Sequence, residues 1–237
     1  MTTTTMTPNA THAAERPAPP APMFYARLAG VLYFVITIAA IIAHMYVPET
    51  LIIPNDTAAT VANITESQNL FRMGGIGAEL IILLSEVILT IVLYVLFKSV
   101  NPTLSLIAAV SRLMMTGIHG INLLNYGFVL LIINDPGQSN ALVSLFLDAH
   151  SYGFTIGIAF LVLHVFALGV LIYQSGYFPR VLGVLFLAAG FGYLFDTIGL
   201  LFIESYTTTP GLIAMVIALA EITFPLWLLV KGVRVTN

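Results

Sequence analysis

Ionisable side chains inside long apolar runs are the residues of this sequence whose types and spacing could support chemistry. A charged group in the hydrocarbon layer of a membrane is costly, so such residues normally face a protein interior and mark an ion, proton or ligand site. An acid beside a histidine or an arginine can bind a ligand or pass a proton. The candidate site residues are Glu79, Glu86, Arg112, His119, Asn122, His164, Asp196 and Glu221, with Asn122 as a hydrogen-bonding neighbour.

The spacing of four of these residues predicts two rungs between neighbouring helices. Glu79 and Glu86 are seven residues apart, as are Arg112 and His119, and residues seven apart lie on one face of a helix. The short turn at residues 98–102 makes the two helices antiparallel neighbours. We expect Glu86 to pair with Arg112 near mid-membrane and Glu79 with His119 in the outer half. The alternative is that these pairs only fix the helix register.

Three later helices add one ionisable residue each. His164 and Glu221 are expected near mid-membrane, and Asp196 in the outer half, where it could pair with His119 or stay neutral. Pro225 has no N–H for the carbonyl of Glu221, so the last helix should kink beside its buried acid. A freed carbonyl beside a carboxyl group is typical of cation and proton sites in transporters, although many proline kinks have no such role.

Histidine spacing raises one cofactor alternative. His150 and His164 are fourteen residues apart on one predicted helix, a spacing with which cytochrome b-type helices hold two haems. A second helix must supply matching ligands, and His44 and His119 give only one incomplete pair. We therefore predict no cofactor and no metal, with haem as the alternative. Gly153 and Gly157 lie on the same helix stripe and predict close approach of a neighbouring helix.

The composition places the chain in a membrane. Of its residues, 59% are hydrophobic and 8% are charged, whereas soluble domains carry about 25% charged residues. The net charge of −3 provides no basic surface for nucleic acid. The sequence has no cysteine, no phosphate-binding glycine loop and no Gly-x-Ser-x-Gly elbow, so enzymatic activity is not expected.

Six apolar runs are long enough to cross a bilayer, which predicts an all-α membrane bundle. Residues 1–22 are predicted to be a disordered tail, and residues 23–237 the membrane domain. Basic residues gather on one side of this arrangement, so both termini are expected in the cytoplasm and the protein in the cell membrane, the inner membrane of a bacterium. Asp56 is expected to cap a short helix in the first outer loop. The predicted spans are residues 28–47, 71–97, 104–133, 149–173, 181–203 and 212–230.

Several separated motifs resemble one family. They are Arg27-Leu-Ala-Gly-Val-Leu-Tyr33, Ile53-Pro-Asn-Asp56, Leu70-Phe-Arg72, Asp148-Ala-His-Ser-Tyr-Gly153, the turn from Gln174 to Gly183, and Gly192-Tyr-Leu-Phe-Asp196. In this order they are similar to the bacterial membrane proteins of domain-of-unknown-function family 4386. The resemblance implies a multi-pass integral membrane protein and transfers no activity or catalytic residue.

Two functional hypotheses follow from these patterns. The first is a membrane protein that binds a small or lipid-like ligand between its helices, with proton-coupled transport as an extension of this hypothesis. The second is an accessory subunit or scaffold of a larger membrane complex, in which the polar residues only fix the fold. The expected partners are the lipid bilayer, a small-molecule or lipid ligand, and either a larger complex or a second copy in a homodimer; nucleic acid is not expected.

Overall fold

The computed structural model describes residues 22–135, 137 and 139–234, and this part of the chain is built from helices. The predicted tail lies outside the described residues, apart from Pro22, at which the first helix begins. The helices are α1 (Pro22–Leu51), α2 (Thr57–Glu66), α3 (Gln68–Phe97), α4 (Pro102–Ile133), α5 (Asn140–Ser175), α6 (Arg180–Phe202) and α7 (Gly211–Val230).

Six of these helices, all except α2, are long and apolar enough to cross a membrane. The predicted all-α, six-span membrane bundle is therefore confirmed, although several helices are longer than predicted. Helix α5 begins at Asn140 instead of residue 149 and has 36 residues. At 1.5 Å per residue it is about 54 Å long, well beyond a hydrocarbon layer of about 30 Å. Its first turns therefore project beyond the membrane.

Helix α2 packs on this projecting part of α5. Its cap is the predicted one, since the Asp56 carboxylate accepts a hydrogen bond from Ala59 N at 2.9 Å. The helix ends at Glu66, and Gln68 already begins α3. The hydroxyl groups of Thr57 and Ser144 lie 2.6 Å apart and join α2 to α5.

The six spanning helices pack in a closed ring in chain order. Each contacts the next, and α7 returns to pack against α1. All six therefore share one interior. Two buried apolar clusters fill the ends of this interior, one around Phe97, Leu168 and Phe224 and the other around Leu51, Phe71 and Val129. The polar side chains described below lie between these clusters.

Both ends of the described chain lie at one end of the ring, which we call the basic end. There, Gly176 ends α5 in the left-handed conformation, with φ of 67°, which glycine adopts without strain. The backbone N–H of Arg234 donates to Tyr177 O in the same turn at 3.0 Å. Residues Arg27, Lys98, Arg180, Lys231 and Arg234 gather at this end. That this end faces the cytoplasm stays a prediction.

Two π-helical segments lie side by side in the half of the ring away from the basic end. They are Ile41–Tyr46 in α1 and Phe71–Gly77 in α3. A Cβ atom at Gly74 would lie 2.7 Å from Val47 Cγ2, so glycine is required for this close packing. π-helical turns widen the helix and change which residues face a neighbour, and they are frequent at functional sites.

A substitution at Gly183 of α6 tests the packing of α5 against α6. A Cβ atom at Gly183 would lie 2.7 Å from Tyr173 N and 2.8 Å from Gly169 O, and backbone atoms cannot move aside cheaply. We expect Gly183→Ala to lower the free energy of unfolding by about 1–3 kcal/mol, as overpacking does.

The matched control is Gly117→Ala in α4, since a Cβ atom there meets nothing within 4 Å. It should leave stability unchanged or raise it by up to about 1 kcal/mol, because alanine favours helix. Thermal unfolding of both variants in detergent provides the comparison. Equal stability of the two variants would contradict the close α5 and α6 contact.

Candidate functional site

The Arg112 guanidinium, on α4, is the centre of the polar interior. It donates two hydrogen bonds to the carboxylate of Glu86 on α3, one from Nε and one from Nη2 at 2.8 Å. Both residues are buried, with 5% of Arg112 and 4% of Glu86 exposed. Two parallel N–H···O bonds are the most specific geometry for such an ion pair. The predicted rung between Glu86 and Arg112 is therefore confirmed.

His164, on α5, is hydrogen-bonded through both ring nitrogens. Its Nδ1 lies 2.9 Å from Ala108 O, and because a carbonyl can only accept, Nδ1 carries the hydrogen. Nε2 is then the lone-pair nitrogen, and it accepts a hydrogen bond from Arg112 Nη1 at 2.9 Å. The imidazole is neutral in this arrangement and holds the guanidinium in place. This geometry favours a positioning role for His164 over the predicted proton relay.

Tyr33 of α1 is a site residue that the sequence patterns did not indicate. Its hydroxyl oxygen accepts from Arg112 Nη1 at 3.4 Å, and the Arg112 Cζ lies 5.2 Å from the centre of its ring. The same ring packs edge-on against Phe224 of α7, with centroids 6.0 Å apart. Arg112 therefore joins its own helix to α1, α3 and α5. The sequence signal was a tyrosine inside an apolar run, at the end of the motif that begins at Arg27.

Glu221 of α7 lies at the same level of the ring. Its Oε1 accepts a hydrogen bond from the hydroxyl of Tyr193 on α6, another residue that the sequence patterns did not indicate. Pro225 lies inside α7 without ending the helix and has no N–H to donate to Glu221 O. Unlike Glu86 and Arg112, Glu221 is exposed.

These side chains surround a cavity of about 290 Å³. Every spanning helix contributes to its lining, which includes Tyr33, Glu86, Arg112, His164, Phe186 and Glu221. Most polar side chains of the lining lie on the buried side of the cavity, and apolar side chains complete it. A volume of this size suits a small ligand, because pockets for small molecules range from about 300 to 1,000 Å³.

The cavity opens sideways between α1 and α7. The two helices are in contact towards the basic end, where Gly30 packs against Leu229. Further along α1, Ile41 and Met45 line the cavity while 51% and 54% of each residue is exposed. Glu221 is the exposed lining residue on the α7 side. In a bilayer, this opening faces the lipid chains.

The second predicted rung, Glu79 with His119, is wrong. The nearest basic partner of Glu79 is His44 of α1, with Oε1 and Nδ1 3.5 Å apart. His119 instead donates from Nε2 to the backbone carbonyl of Phe154 on α5 at 3.0 Å. The Phe154 ring contacts both imidazoles, with centroids 4.6 Å from His119 and 4.9 Å from His44. Helix α1 therefore provides the partner that the sequence assigned to α4.

Farther from the basic end than His119, Asn122 and His150 connect α4 to α5. The Asn122 amide donates to His150 O at 2.8 Å and accepts from the amide of Asn125 at 2.9 Å. The His150 ring stacks on Tyr126 with centroids 3.9 Å apart. Asn122 is not among the residues that line the cavity.

The small residues Gly153 and Gly157 of α5 make room for polar side chains of the neighbouring helix α4. A Cβ atom at Gly153 would overlap the Asn122 amide, and one at Gly157 would overlap the His119 ring. At these two positions α4 packs against α5 through its polar side chains, which occupy the space beside the glycines.

Asp196 lies near the end of α6 and not beside His119. Its two carboxylate oxygens accept hydrogen bonds from the Tyr206 hydroxyl at 2.7 Å and from the Thr209 hydroxyl at 3.0 Å. Both partners belong to the connection between α6 and α7. Desolvation and the hydrogen bond to Asp196 raise the pKa of Tyr206 to about 12, so the phenol stays a donor at neutral pH. Asp196 fixes this connection and is not part of the cavity.

No group of three or more His, Asp or Glu side chains in residues 22–135, 137 and 139–234 could hold a metal ion. The haem alternative stays a prediction. Of its four histidines, His164 has both ring nitrogens engaged by protein groups, and His119 has Nε2 engaged.

Comparison with known proteins places the chain among proteins without an assigned activity. The family model described as DUF4386, a domain of unknown function, matches residues 28–232. An uncharacterised protein of Archaeoglobus fulgidus is 30% identical over 162 residues, which are 68% of this chain and 85% of the relative. No solved structure matches the chain.

A double-mutant cycle tests the buried ion pair. Arg112→Met leaves the Glu86 carboxylate buried without a partner, which should lower the free energy of unfolding by about 3–5 kcal/mol. Adding Glu86→Met removes the unpaired charge and should restore at least half of this loss, since apolar replacements of a whole buried pair are tolerated.

The control is Arg72→Met, because Arg72 is an exposed arginine outside the cavity and should change stability by less than about 0.5 kcal/mol. Reversible unfolding in mixed micelles measures five proteins: the wild-type protein, the single variants Arg112→Met and Glu86→Met, the double variant, and the Arg72→Met control. If the effects of the Arg112 and Glu86 substitutions simply added, the two side chains would not be paired.

Proposed function

Because the chain belongs to DUF4386, a family described only as a domain of unknown function, we propose its function from its own residues: it binds a small or lipid-like ligand in the cavity between its membrane helices. The observation that carries this proposal is the cavity itself, which has a polar wall at mid-bundle and a lateral opening between α1 and α7.

The polar side chains that line the cavity favour a role in ligand binding over a purely structural role. A bundle that needed only to fix its helix register could bury the pair of Glu86 and Arg112 in closed packing, because interiors are normally filled to high density. Here the Glu86 and Arg112 side chains line a cavity, together with Tyr33 and the exposed residue Glu221. A ligand in this space would meet fixed polar groups on one side and apolar groups on the other, which is the usual character of a binding pocket.

The lateral opening supports a ligand that arrives from the bilayer. Its rim consists of Thr37, Ile41 and Met45 on α1, which are exposed side chains at the level of the lipid chains. A molecule dissolved in the membrane reaches this rim without crossing water. Transport and coupling to protons stay predictions, since binding alone accounts for the cavity.

Filling the cavity tests the proposal without altering any charge. Ala40 lines the cavity on α1, so Ala40→Phe should occupy much of the volume. The probes are hexylamine, 1-hexanol and hexanoate, which share one chain and differ in head group, titrated calorimetrically into the protein in lipid nanodiscs. We expect saturable binding of at least one probe to the wild-type protein, weakened at least tenfold by Ala40→Phe.

The matched control is Ala214→Phe, because Ala214 is an exposed alanine of α7 outside the cavity lining. It should bind the probe as the wild-type protein does, and empty nanodiscs should give only linear partitioning. Binding of no probe above partitioning, or equal binding by Ala40→Phe and Ala214→Phe, would refute the proposal and favour the accessory-subunit hypothesis.

A further inference from the structure

The hydrogen bonds of the cavity lining leave one acid without a charged partner. All three guanidinium nitrogens of Arg112 donate to protein acceptors, and both oxygens of Glu86 accept from it. His164 has no free ring nitrogen. Arg112 and Glu86 thus neutralise each other, and His44, the other histidine of the lining, has its Nδ1 3.5 Å from Glu79 Oε1.

Glu221 differs from Glu86 in each of these respects. Its Oε1 accepts from the Tyr193 hydroxyl, a neutral donor, and among the described residues neither an ion pair nor a hydrogen bond to Oε2 is present. Tyr193 therefore fixes the position of the carboxyl group without neutralising it. The free oxygen belongs to an exposed side chain at the opening of the cavity.

A second acceptor lies on the same turn of α7. Because Pro225 has no N–H, the backbone carbonyl of Glu221 lacks its usual helical donor. Pro225 and Glu221 both line the cavity. This turn therefore offers oxygen acceptors, whereas four of the five N–H groups of Arg112 already donate to protein acceptors.

From these contacts we infer that the cavity selects an amphiphilic organic cation, with an ammonium head at Glu221 and an apolar tail towards the opening between α1 and α7. This inference rests on the proposed function, since it specifies the ligand of the same cavity. A carboxylate in a low-dielectric site favours an opposite charge within a few ångströms. The aromatic ring of Phe186 adds an apolar surface in the same cavity, suited to an alkylammonium group.

The inferred position of the ligand's apolar tail follows from the position of Glu221 relative to the opening. Glu221 is the exposed lining residue on α7, and the exposed lining residues on α1 include Ile41 and Met45, about half of whose surface is exposed. An ammonium group at Glu221 thus leaves its alkyl chain beside these side chains and the surrounding lipid. A compact hydrated metal cation would find one carboxyl group without an ion pair, Glu221, because Glu86 is paired with Arg112 and no cluster of three or more acidic or histidine side chains is present among the described residues.

The same three hexyl probes test the inference, at pH 7, where the alkylamine is protonated. We expect hexylammonium to bind the wild-type protein at least tenfold more tightly than 1-hexanol, and hexanoate to bind more weakly than either. Glu221→Gln keeps the shape and an acceptor for Tyr193 but removes the charge. It should weaken hexylammonium binding at least tenfold and change the affinity for 1-hexanol less than twofold.

A second variant keeps the test decisive if Glu221→Gln fails to fold. Tyr193→Phe removes the neutral donor to Glu221 and leaves both carboxylate oxygens for the ligand, so hexylammonium should bind at least as tightly as to the wild-type protein. Saturable binding of all three probes with equal affinity, or a preference for hexanoate, would overturn the cation inference and leave the proposed cavity intact. Unchanged hexylammonium binding by Glu221→Gln would also overturn it. Binding of no probe would instead refute the proposed function.

Discussion

The buried ion pair between Arg112 and Glu86 is the interaction on which the interior of this bundle depends. Two charges inside the hydrocarbon layer are tolerated only when they neutralise each other and when their remaining hydrogen-bonding groups find partners. Tyr33 and His164 provide those partners, and each belongs to a different helix. The requirement to satisfy one guanidinium therefore fixes α1, α3, α4 and α5 around a common point.

The same requirement explains why the cavity is polar on one side only. The side chains that satisfy Arg112 cannot move away to fill neighbouring space without leaving a buried donor unpaired, which carries a large desolvation penalty. Glu221 forms no ion pair with this network among the described residues, and its hydrogen-bond donor, Tyr193, is neutral. The interior thus combines a closed, self-neutralised network with one acid at an opening towards lipid. This division is the physical basis for both the binding proposal and the inferred charge of the ligand.

Much of the fold could be predicted from the sequence, because membrane-spanning helices are recognised by their length and hydropathy. The six spans and the rung between Glu86 and Arg112 were predicted, since seven-residue spacing on antiparallel neighbours determines which side chains meet. The contact between Glu79 and His44 was not predicted, because no sequence pattern indicated that α1 lies beside α3. In addition, His44 lies in a π-helical segment, whose periodicity differs from that of the α-helix used for prediction. Asp196 was placed by depth alone, which gave no account of the hydroxyl groups of Tyr206 and Thr209. A cavity cannot be predicted from such patterns at all, because it depends on how side chains of six helices fill a shared space.

An experimental density map of the protein in lipid nanodiscs is the most direct measurement of the central claim that ionisable side chains from separate helices converge on one sheltered cavity. The account predicts continuous density from the Arg112 guanidinium to Glu86 and His164, with open volume between this group and Glu221 and an opening between α1 and α7. A map in which Arg112 and Glu86 point to unrelated surfaces, or in which packed side chains fill the space before Glu221, would contradict it.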